Sequence, residues 1–221
     1  EMKRWLRSNI SKYDIVHLHS FRSYQNNIVC KYAKKHNIPY IVQPHGSLPR
    51  IVEKKGLKQL YDLTWGNGIL EHASKAIAVS ENEVEQFKQF DIPDEKITVI
   101  PNGINYTSPE SLPPAGQFRE RYSIHERHIV LYAGRVHRRK GIDFLIRSFN
   151  SFVQIRQGDD TALIIVGPDD GYRPILEDLV EQLGLSNKVR FIGFIPSLIA
   201  AYQDADLLVY PSTYEIFGLV P

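Results

Sequence analysis

The sequence predicts an α/β protein of two doubly wound domains, each built on a parallel sheet with right-handed crossovers. Segments typical of buried strands alternate with amphipathic helical segments along the chain. This alternation stops between Asn105 and Gly116, where prolines and small polar residues interrupt it, and then restarts. Because 221 residues with 43% hydrophobic content suffice for two modest cores, we expect one domain over residues 1–105 and a second over residues 106–221.

The composition excludes several classes of protein. The formal net charge is only +2, so the chain as a whole does not favour a nucleic-acid partner. Cys30 is the single cysteine, which excludes an internal disulfide and a cysteine-based zinc site and is typical of a reducing compartment. No apolar segment reaches the ~18 to 20 residues that a membrane-spanning helix needs, and we expect a cytoplasmic protein.

The first half contains four predicted strands, with helical periodicity between them. They span residues 13–20, 40–43, 75–79 and 96–100, and the first of them is expected to be buried. His17 and His19 alternate along that strand and share one face. With no carboxylate or third histidine nearby, we interpret them as core or site-lining residues rather than metal ligands. Ser80, with Glu83 three residues later, predicts a capping box at a helix start.

His45 lies in the turn Pro44–Leu48, directly after the second predicted strand. In open parallel sheets, ligands bind at the carboxyl ends of the strands, which makes His45 a candidate site residue. A lone histidine in a turn rich in proline and glycine is as often structural, so the sequence leaves both interpretations open.

Residues 51–70 form a basic amphipathic segment, in which Leu57, Leu60, Tyr61 and Trp65 alternate with lysines. An ordinary surface helix is the simpler interpretation. Because apolar and basic residues interleave at helical spacing, peripheral contact with the inner face of a membrane stays an alternative.

The second half repeats the pattern of strands and helices. Strands are predicted over residues 128–133, 162–166, 189–192 and 206–210, and one of the intervening helices has Pro174 in its first turn. The helix predicted over residues 142–153 presents a single apolar stripe at spacings of three and four, formed by Ile142, Leu145, Ile146, Phe149, Phe152 and Val153.

A basic loop joins the strand 128–133 to the helix 142–153. Gly134 allows the chain to turn, and the loop contains Arg135, His137, Arg138, Arg139 and Lys140. Free backbone N–H groups and the helix dipole attract anions at such a position, which predicts a phosphate site. A solvated loop is the plain alternative. A nucleic-acid groove would need interleaved aromatic residues, and none interrupts the basic run.

Five motifs, spread over nearly the whole chain, carry a resemblance to a known family. They are Val99–Ile104, Gly134–Gly141, Val166–Pro168, Val189–Gly193 and Tyr210–Pro221. In order, they resemble an interdomain signature, a donor-phosphate motif, two segments at the expected intervals, and the first part of a Glu-x7-Glu motif with Glu215 as its first glutamate. The chain is similar to the retaining glycosyltransferases of the GT-B fold, in particular family 4.

The resemblance implies a GT-B architecture of two Rossmann-like domains, an acceptor-side domain followed by a nucleotide-sugar-binding domain, with the active site between them. It also implies that both domains are incomplete. The second glutamate and the glycine-rich loop of such enzymes would lie outside residues 1–221, and we expect the chain alone to be inactive.

The resemblance also assigns roles to residues of this sequence. Arg135 and Lys140 would hold the diphosphate and stabilise the charge on the departing nucleotide, so that no metal or other cofactor is required. Glu215 would accept hydrogen bonds from the donor sugar, and His45 would face that sugar from the first domain. The implied donor-binding residues are Gly134, Arg135, Lys140, Gly167, Phe191, Ile192, Glu215, Phe217, Gly218 and Leu219.

The implied activity is transfer of a sugar from a UDP- or GDP-sugar to a hydroxyl of a glycan or lipid-linked acceptor, as in polysaccharide or glycolipid synthesis. Two alternatives belong to other classes. One is a nucleotide-sugar 2-epimerase of the same architecture, and the other is a non-enzymatic basic binding module. The fold does not choose the substrate.

Overall fold

The structure is a computed structural model and describes residues 1–49, 55–104, 108, 111–156, 160–213 and 215. The chain divides into two compact units, Glu1–Gly103 and Ile104–Pro221. Each unit contains a four-stranded sheet in which all paired strands run parallel, and helices alternate with the strands. The predicted α/β class with parallel sheets is therefore confirmed.

The sheet of the first unit has the order β1-β2-β3-β4. Its strands are β1 (Val16–His19), β2 (Tyr40–Gln43), β3 (Lys75–Ala78) and β4 (Ile97–Val99). The α-helices of this unit are α1 (Met2–Asn9), α2 (Tyr24–Lys35), α3 (Lys55–Tyr61), α4 (Asn67–Glu71) and α5 (Glu81–Lys88). A π-helical turn, Asp62–Gly66, joins α3 to α4, and 3-10 turns follow α1 and precede β4, at Ile10–Lys12 and Asp94–Lys96.

The core of the first unit packs on alternate residues of its strands, as period-two geometry requires. Leu18 in β1 and Val42 in β2 are buried there, and they pair in register. The prediction of a buried strand over residues 13–20 was wrong in extent and burial. Only four residues form β1, and its alternating side chains place Leu18 in the core and His17 and His19 on the opposite, exposed face.

The segment predicted to be a basic amphipathic helix is helical where the structure describes it, from α3 through the π-helical turn to α4. Residues 50–54 lie outside the described residues. Four large apolar side chains of α3 and the turn are between 57% and 69% exposed, namely Leu57, Leu60, Leu63 and Trp65. No helix in the described part of the chain has the length and apolar character to cross a membrane.

The sheet of the second unit has the order β7-β6-β5-β8. Its strands are β5 (His128–Ala133), β6 (Thr161–Val166), β7 (Val189–Gly193) and β8 (Leu207–Leu208). The α-helices are α6 (Gln117–Arg121), α7 (Ile142–Ile155), α8 (Arg173–Gln182) and α9 (Ile199–Asp204). A 3-10 turn, Arg138–Lys140, lies between β5 and α7.

Helices cover both faces of this second sheet. Tyr132 and Ile165 point into a core that α7 and α8 close, whereas Leu131 and Ile164 point into a core shared with α6 and α9. Both central strands are consequently buried on both faces, which is why they read as continuous apolar runs. The predicted doubly wound arrangement is present in this unit.

Two local features of the second unit differ from the sequence prediction. The last strand was expected over residues 206–210, but β8 comprises only Leu207 and Leu208, flanked by the N–H groups of Asp206 and Val209 that donate to the carbonyl oxygens of Ile129 and Leu131 in β5. The short helix α6 was not predicted. Its amino terminus is capped by the carboxylate of Asp204, which accepts backbone N–H bonds from Gly116 and Phe118 at 2.6 and 2.8 Å.

Candidate functional site

The loops after β5 and β6 meet closely at the carboxyl edge of the second sheet. The Gly134 N–H donates to the carbonyl oxygen of Val166 at 2.9 Å. A Cβ atom on Gly167, whose φ is +144°, would lie 1.9 Å from the carbonyl oxygen of Gly134. The close approach of the two backbones therefore requires a glycine at position 167, and Gly134 has a φ of +147°, a value that residues with a side chain rarely adopt.

The basic loop is an ordered turn directly ahead of α7. The Nδ1 atom of His137 accepts the Arg139 N–H at 3.1 Å and caps the 3-10 turn Arg138–Lys140. Gly141 follows with a φ of +67°, and a Cβ there would lie 2.3 Å from the carbonyl oxygen of Pro211. The loop after β8 thus packs against the amino terminus of α7, a position where backbone N–H groups and the helix dipole favour an anion.

This packing brings Lys140 to Glu215, which is 75 residues away in the sequence. The Lys140 ammonium forms an ion pair with Oε1 of Glu215 and donates to the Tyr210 hydroxyl at 3.2 Å. The hydroxyls of Tyr210 and Ser212 each donate to the same Oε1 at 2.8 Å. The Lys140 ammonium also lies 5.3 Å from the centre of the Tyr210 ring. Three donors therefore fix one carboxylate oxygen, and the carboxylate and phenol fix the ammonium.

Both members of this ion pair are held in their charged forms. Burial disfavours the charge on Lys140, but the hydrogen bonds to Glu215 and Tyr210 outweigh it and raise the pKa of Lys140. Burial likewise opposes ionisation of Glu215, and the donors Lys140, Tyr210 and Ser212 outweigh it and lower the pKa of that carboxyl. At neutral pH the site therefore presents a fixed cation beside a fixed anion.

The remaining residues predicted for this site have different surroundings. Arg135 is exposed, and its Nη1 lies 3.4 Å from a carboxylate oxygen of Asp170. The Gly167 N–H is bonded to the carbonyl oxygen of Gly193 at 2.8 Å, so the contribution of Gly167 is close backbone packing. Phe191 and Ile192 pack toward opposite faces of the sheet. Phe217, Gly218 and Leu219 lie outside the described residues, and the assigned roles stay predictions.

In the first unit, His45 lies at the carboxyl end of β2, as predicted. Its φ is +50°, a left-handed value that costs on the order of 1 kcal/mol for a residue with a side chain. The Nε2 atom of His45 lies 2.8 Å from Nδ1 of His19, and the two rings stack with centroids 5.1 Å apart. His19 in turn lies 4.2 Å from the His17 ring. Three exposed imidazoles thus line one edge of the first sheet.

His17 and His45 are biased toward their neutral forms. Burial, and secondarily the neighbouring His19, lowers the pKa of His45 and also that of His17. A neutral imidazole can accept or donate a hydrogen bond at each nitrogen, which suits a group that orients hydroxyls. Neither these imidazoles nor any other group of three His, Cys, Asp or Glu side chains among the described residues is arranged to hold a metal ion.

Sequence reasoning missed several residues of both sites. Tyr210 and Ser212 stand in the quoted Glu215 motif, but nothing in their spacing shows that their hydroxyls converge on the carboxylate. Glu83 was interpreted as half of a capping box. Its carboxylate instead binds the backbone of the turn that carries His45, a contact that only the fold creates.

Comparisons with known proteins identify both halves of the chain. Residues 1–108 match the sequence family described as Glycosyltransferase Family 4, and residues 116–221 match the family described as Glycosyl transferases group 1. An uncharacterized glycosyltransferase of Methanocaldococcus jannaschii is 31% identical over an alignment of 223 positions, which covers 96% of this chain and 55% of the relative. A D-inositol 3-phosphate glycosyltransferase of Thermobispora bispora is 27% identical and matches 95% of this chain and 51% of its own length. The chain spans about half the length of these curated relatives.

Solved structures give the same result for the fold. HepE of Anabaena, in complex with UDP and glucose, matches 99% of this chain and 58% of its own at a TM-score of 0.78 and 22% identity. Sucrose-phosphate synthase from Thermosynechococcus elongatus matches 99% of this chain and 55% of its own at a TM-score of 0.76 and 25% identity. The predicted GT-B fold is therefore confirmed.

Proposed function

The chain belongs to the group 1, family 4 glycosyltransferases, and from that premise we propose that its second unit binds the nucleotide-diphosphate sugar of a retaining sugar transfer. The donor would be a UDP- or GDP-sugar. The acceptor would be a hydroxyl of a glycan or a lipid-linked saccharide, in cytoplasmic synthesis of a polysaccharide or glycolipid. The complex of HepE with UDP and glucose supports a nucleotide sugar as the ligand of this fold.

The observation that carries the proposal is the Lys140–Glu215 pair at the start of α7. A departing nucleoside diphosphate gains negative charge, and a fixed ammonium at a helix amino terminus stabilises that charge in the transition state. The adjacent carboxylate is a suitable acceptor for sugar hydroxyls. When the donor binds, Lys140 would turn from Glu215 toward the phosphate, and Tyr210 and Ser212 would keep the carboxylate in place.

In this proposal, protein cations rather than a metal neutralise the diphosphate. Arg135 would supply the second cation, because its exposed guanidinium stands on the same loop as Lys140 and can engage two phosphate oxygens at once. His45, from the first unit, would act on the sugar hydroxyls. A nucleic-acid role for the basic loop is disfavoured, because no aromatic residue on which bases could stack interrupts the basic run Arg135–Lys140.

A panel of nucleotide sugars tests the proposal by thermal shift with the full-length protein. A ligand that binds only the folded state raises the Tm, and we expect one UDP- or GDP-sugar to do so. Lys140→Ala should abolish this rise, whereas Arg138→Ala, which removes an exposed charge from the same turn, should preserve it. A rise that both variants keep would contradict the proposed site.

Product analysis separates the transferase from a 2-epimerase of the same architecture. We expect the sugar to leave the nucleotide and appear on an acceptor, with free nucleoside diphosphate as the second product. Recovery of the sugar on its nucleotide with inverted configuration at C2 would favour the epimerase instead.

We also propose that the first unit makes peripheral contact with an anionic membrane surface. Leu57, Leu60, Leu63 and Trp65 are exposed apolar side chains of α3 and the π-helical turn. Beside Trp65, a groove of about 320 Å³ is lined by Lys31 and Lys34 of α2. Apolar side chains next to exposed lysines are the combination that holds a helix at the headgroup level of an anionic bilayer.

Vesicle sedimentation with the full-length protein tests this contact. Binding to vesicles containing phosphatidylglycerol should exceed binding to pure phosphatidylcholine and should weaken with salt. Leu60→Ser should reduce binding, whereas Ile175→Ser, which removes an exposed apolar side chain from α8, should not. Equal binding to both kinds of vesicle, or equal effects of the two substitutions, would contradict it.

A further inference from the structure

The turn that carries His45 is bound from two sides by charged side chains of other elements. It runs from Pro44 to Leu48, between β2 and the segment that leads into α3. One of the two side chains is Glu83, in the first turn of α5, and the other is Arg22, shortly after β1. Neither belongs to the residues to which the proposed function assigns a role.

Glu83 is completely buried, and both of its carboxylate oxygens accept backbone hydrogen bonds. Oε1 accepts the Gly46 N–H at 2.5 Å, and Oε2 accepts the Val79 N–H at 2.8 Å. The side chain therefore ties the turn after β2 to the end of β3. A buried carboxylate is costly unless it is hydrogen-bonded, so its position is set by these two donors together with the amino terminus of α5.

Arg22 holds the opposite end of the same turn. Its guanidinium forms a two-pronged ion pair with the buried Asp62, through Nε at 2.8 Å and Nη2 at 2.7 Å. Its terminal nitrogens also donate to the carbonyl oxygens of Ser47 and Leu48, at 2.5 and 2.8 Å. The backbone on the carboxyl side of His45 is consequently fixed at three consecutive residues.

This bracing acts on a residue whose backbone conformation is unfavourable. His45 has a φ of +50° and Gly46 a φ of +79°, and such values in a residue with a side chain persist where the surroundings over-determine them. The Gly46 N–H, which Glu83 holds, belongs to the peptide group directly after His45. Because Gly46 follows His45 directly, loss of this bond would loosen the turn that places the His45 imidazole 2.8 Å from His19.

We propose that Glu83 is a positioning residue for sugar transfer: by holding the Gly46 N–H, it keeps the His45 imidazole in the orientation that acts on the donor sugar. This inference rests on the proposed function of His45. Glu83 itself touches no substrate. Its effect should appear in turnover and pass entirely through His45, while the nucleotide affinity, which Lys140 and its neighbours provide, should stay unchanged.

The substitution Glu83→Gln in the full-length protein removes this support with little change in volume. In either orientation of the new amide, an NH2 group meets a backbone N–H, so one of the two bonds is lost and two donors face each other. We expect kcat to fall about 10-fold to 100-fold, with the Kd for the nucleoside diphosphate within about twofold of the parent. Glu85→Gln, on the exposed side of the same helix, should leave both quantities unchanged.

A double-mutant cycle with His45→Ala separates positioning from a general structural effect. If Glu83 acts through His45, Glu83→Gln should cost less than about twofold in kcat in the His45→Ala background. Glu83→Asp, which keeps the charge but shortens the side chain, should lower kcat less than Glu83→Gln and show the same loss of effect. It also serves as the test variant if Glu83→Gln does not fold.

The kcat values of the single and double variants distinguish a positioning role of Glu83 from a structural one. If Glu83→Gln or Glu83→Asp lowers kcat as much in the His45→Ala background as in the parent, the inference is overturned and the role of Glu83 is structural. A large effect of His45→Ala with no effect of either Glu83 substitution would overturn the inference while the proposed role of His45 stands. An unchanged kcat in His45→Ala alone would overturn both.

Discussion

Lys140 is the residue whose removal tests the proposed donor site most sharply. In the free protein its ammonium is shared between the Glu215 carboxylate and the Tyr210 hydroxyl. Lys140→Ala takes this cation away, but Glu215 keeps two donors, Tyr210 and Ser212, both at 2.8 Å. The fold should therefore survive. The change is electrostatic, because an incoming diphosphate would meet the Glu215 carboxylate without the neutralising ammonium of Lys140.

The expected loss follows from the charge separation. One unit charge about 4 Å from another contributes about 4 kcal/mol at an effective dielectric constant of about 20. Because each ~1.36 kcal/mol is a factor of ten in rate, this value corresponds to about 1000-fold. Lys140 is only half-buried and is already engaged with Glu215, so we expect about 100-fold to 1000-fold in kcat, the range typical for loss of one preorganised donor.

The assay measures initial rates and nucleotide affinity for the full-length parent, Lys140→Ala and the matched control Arg138→Ala. The control should stay within about twofold of the parent, since Arg138 is exposed on the same turn. Glu215→Gln added to Lys140→Ala should recover part of the nucleotide affinity, because it removes the uncompensated carboxylate. Turnover and nucleotide affinity of Lys140→Ala within twofold of the parent would show that the basic loop is only a solvated surface.

Two further predictions concern the stability of the fold. The pKa of Glu215 is lowered from 4.5 and that of Lys140 is raised from 10.5, so the ion pair should stabilise the fold fully between these two values. Its contribution should be lost only as the pH falls through the lowered pKa or rises through the raised one. The free energies of urea unfolding of the parent and Glu215→Gln should therefore differ by a constant amount from about pH 6 to pH 9, and a difference that shrinks within that range would contradict the assignment. Gly167→Ala would place a Cβ 1.9 Å from a carbonyl oxygen and should destabilise the fold by more than about 3 kcal/mol. The control Gly171→Ala, whose Cβ would meet open space, should cost about 1 kcal/mol. Equal melting curves of the two variants would refute the close approach at Gly167.

The elements that the sequence predicted well are those with a strong and uninterrupted pattern. β5 and α7 begin at their predicted residues because a buried strand and a long apolar stripe follow one another without ambiguity. The edge strand β8 was predicted too long, since an apolar run does not reveal how many partners a strand has. Helix α6 was not predicted because the residue that caps it, Asp204, is 86 residues away in the sequence from the Phe118 N–H that it accepts.

The sequence could identify some features of the candidate site and not others, for the same kind of reason. Gly134 and Lys140 could be named because a glycine at a strand end and a cation before a helix have local causes, whereas Glu215 could be named only from the family resemblance. The ion pair between Lys140 and Glu215 could not, since it depends on the register that sets β8 beside β5. The bracing of His45 by Glu83 and Arg22 was equally hidden, because it joins three elements that only the sheet order brings together.

The most direct test of the donor site is a crystal structure of the full-length protein with the nucleoside diphosphate that raises its Tm most. We predict a phosphate oxygen about 2.7 to 3.2 Å from Nζ of Lys140, at the carboxyl end of β5 beside Gly134. The Lys140–Glu215 contact should be lengthened in that complex, with Glu215 still bonded to Tyr210 and Ser212. A diphosphate bound away from the turn Arg138–Lys140, with the ion pair intact, would contradict the account.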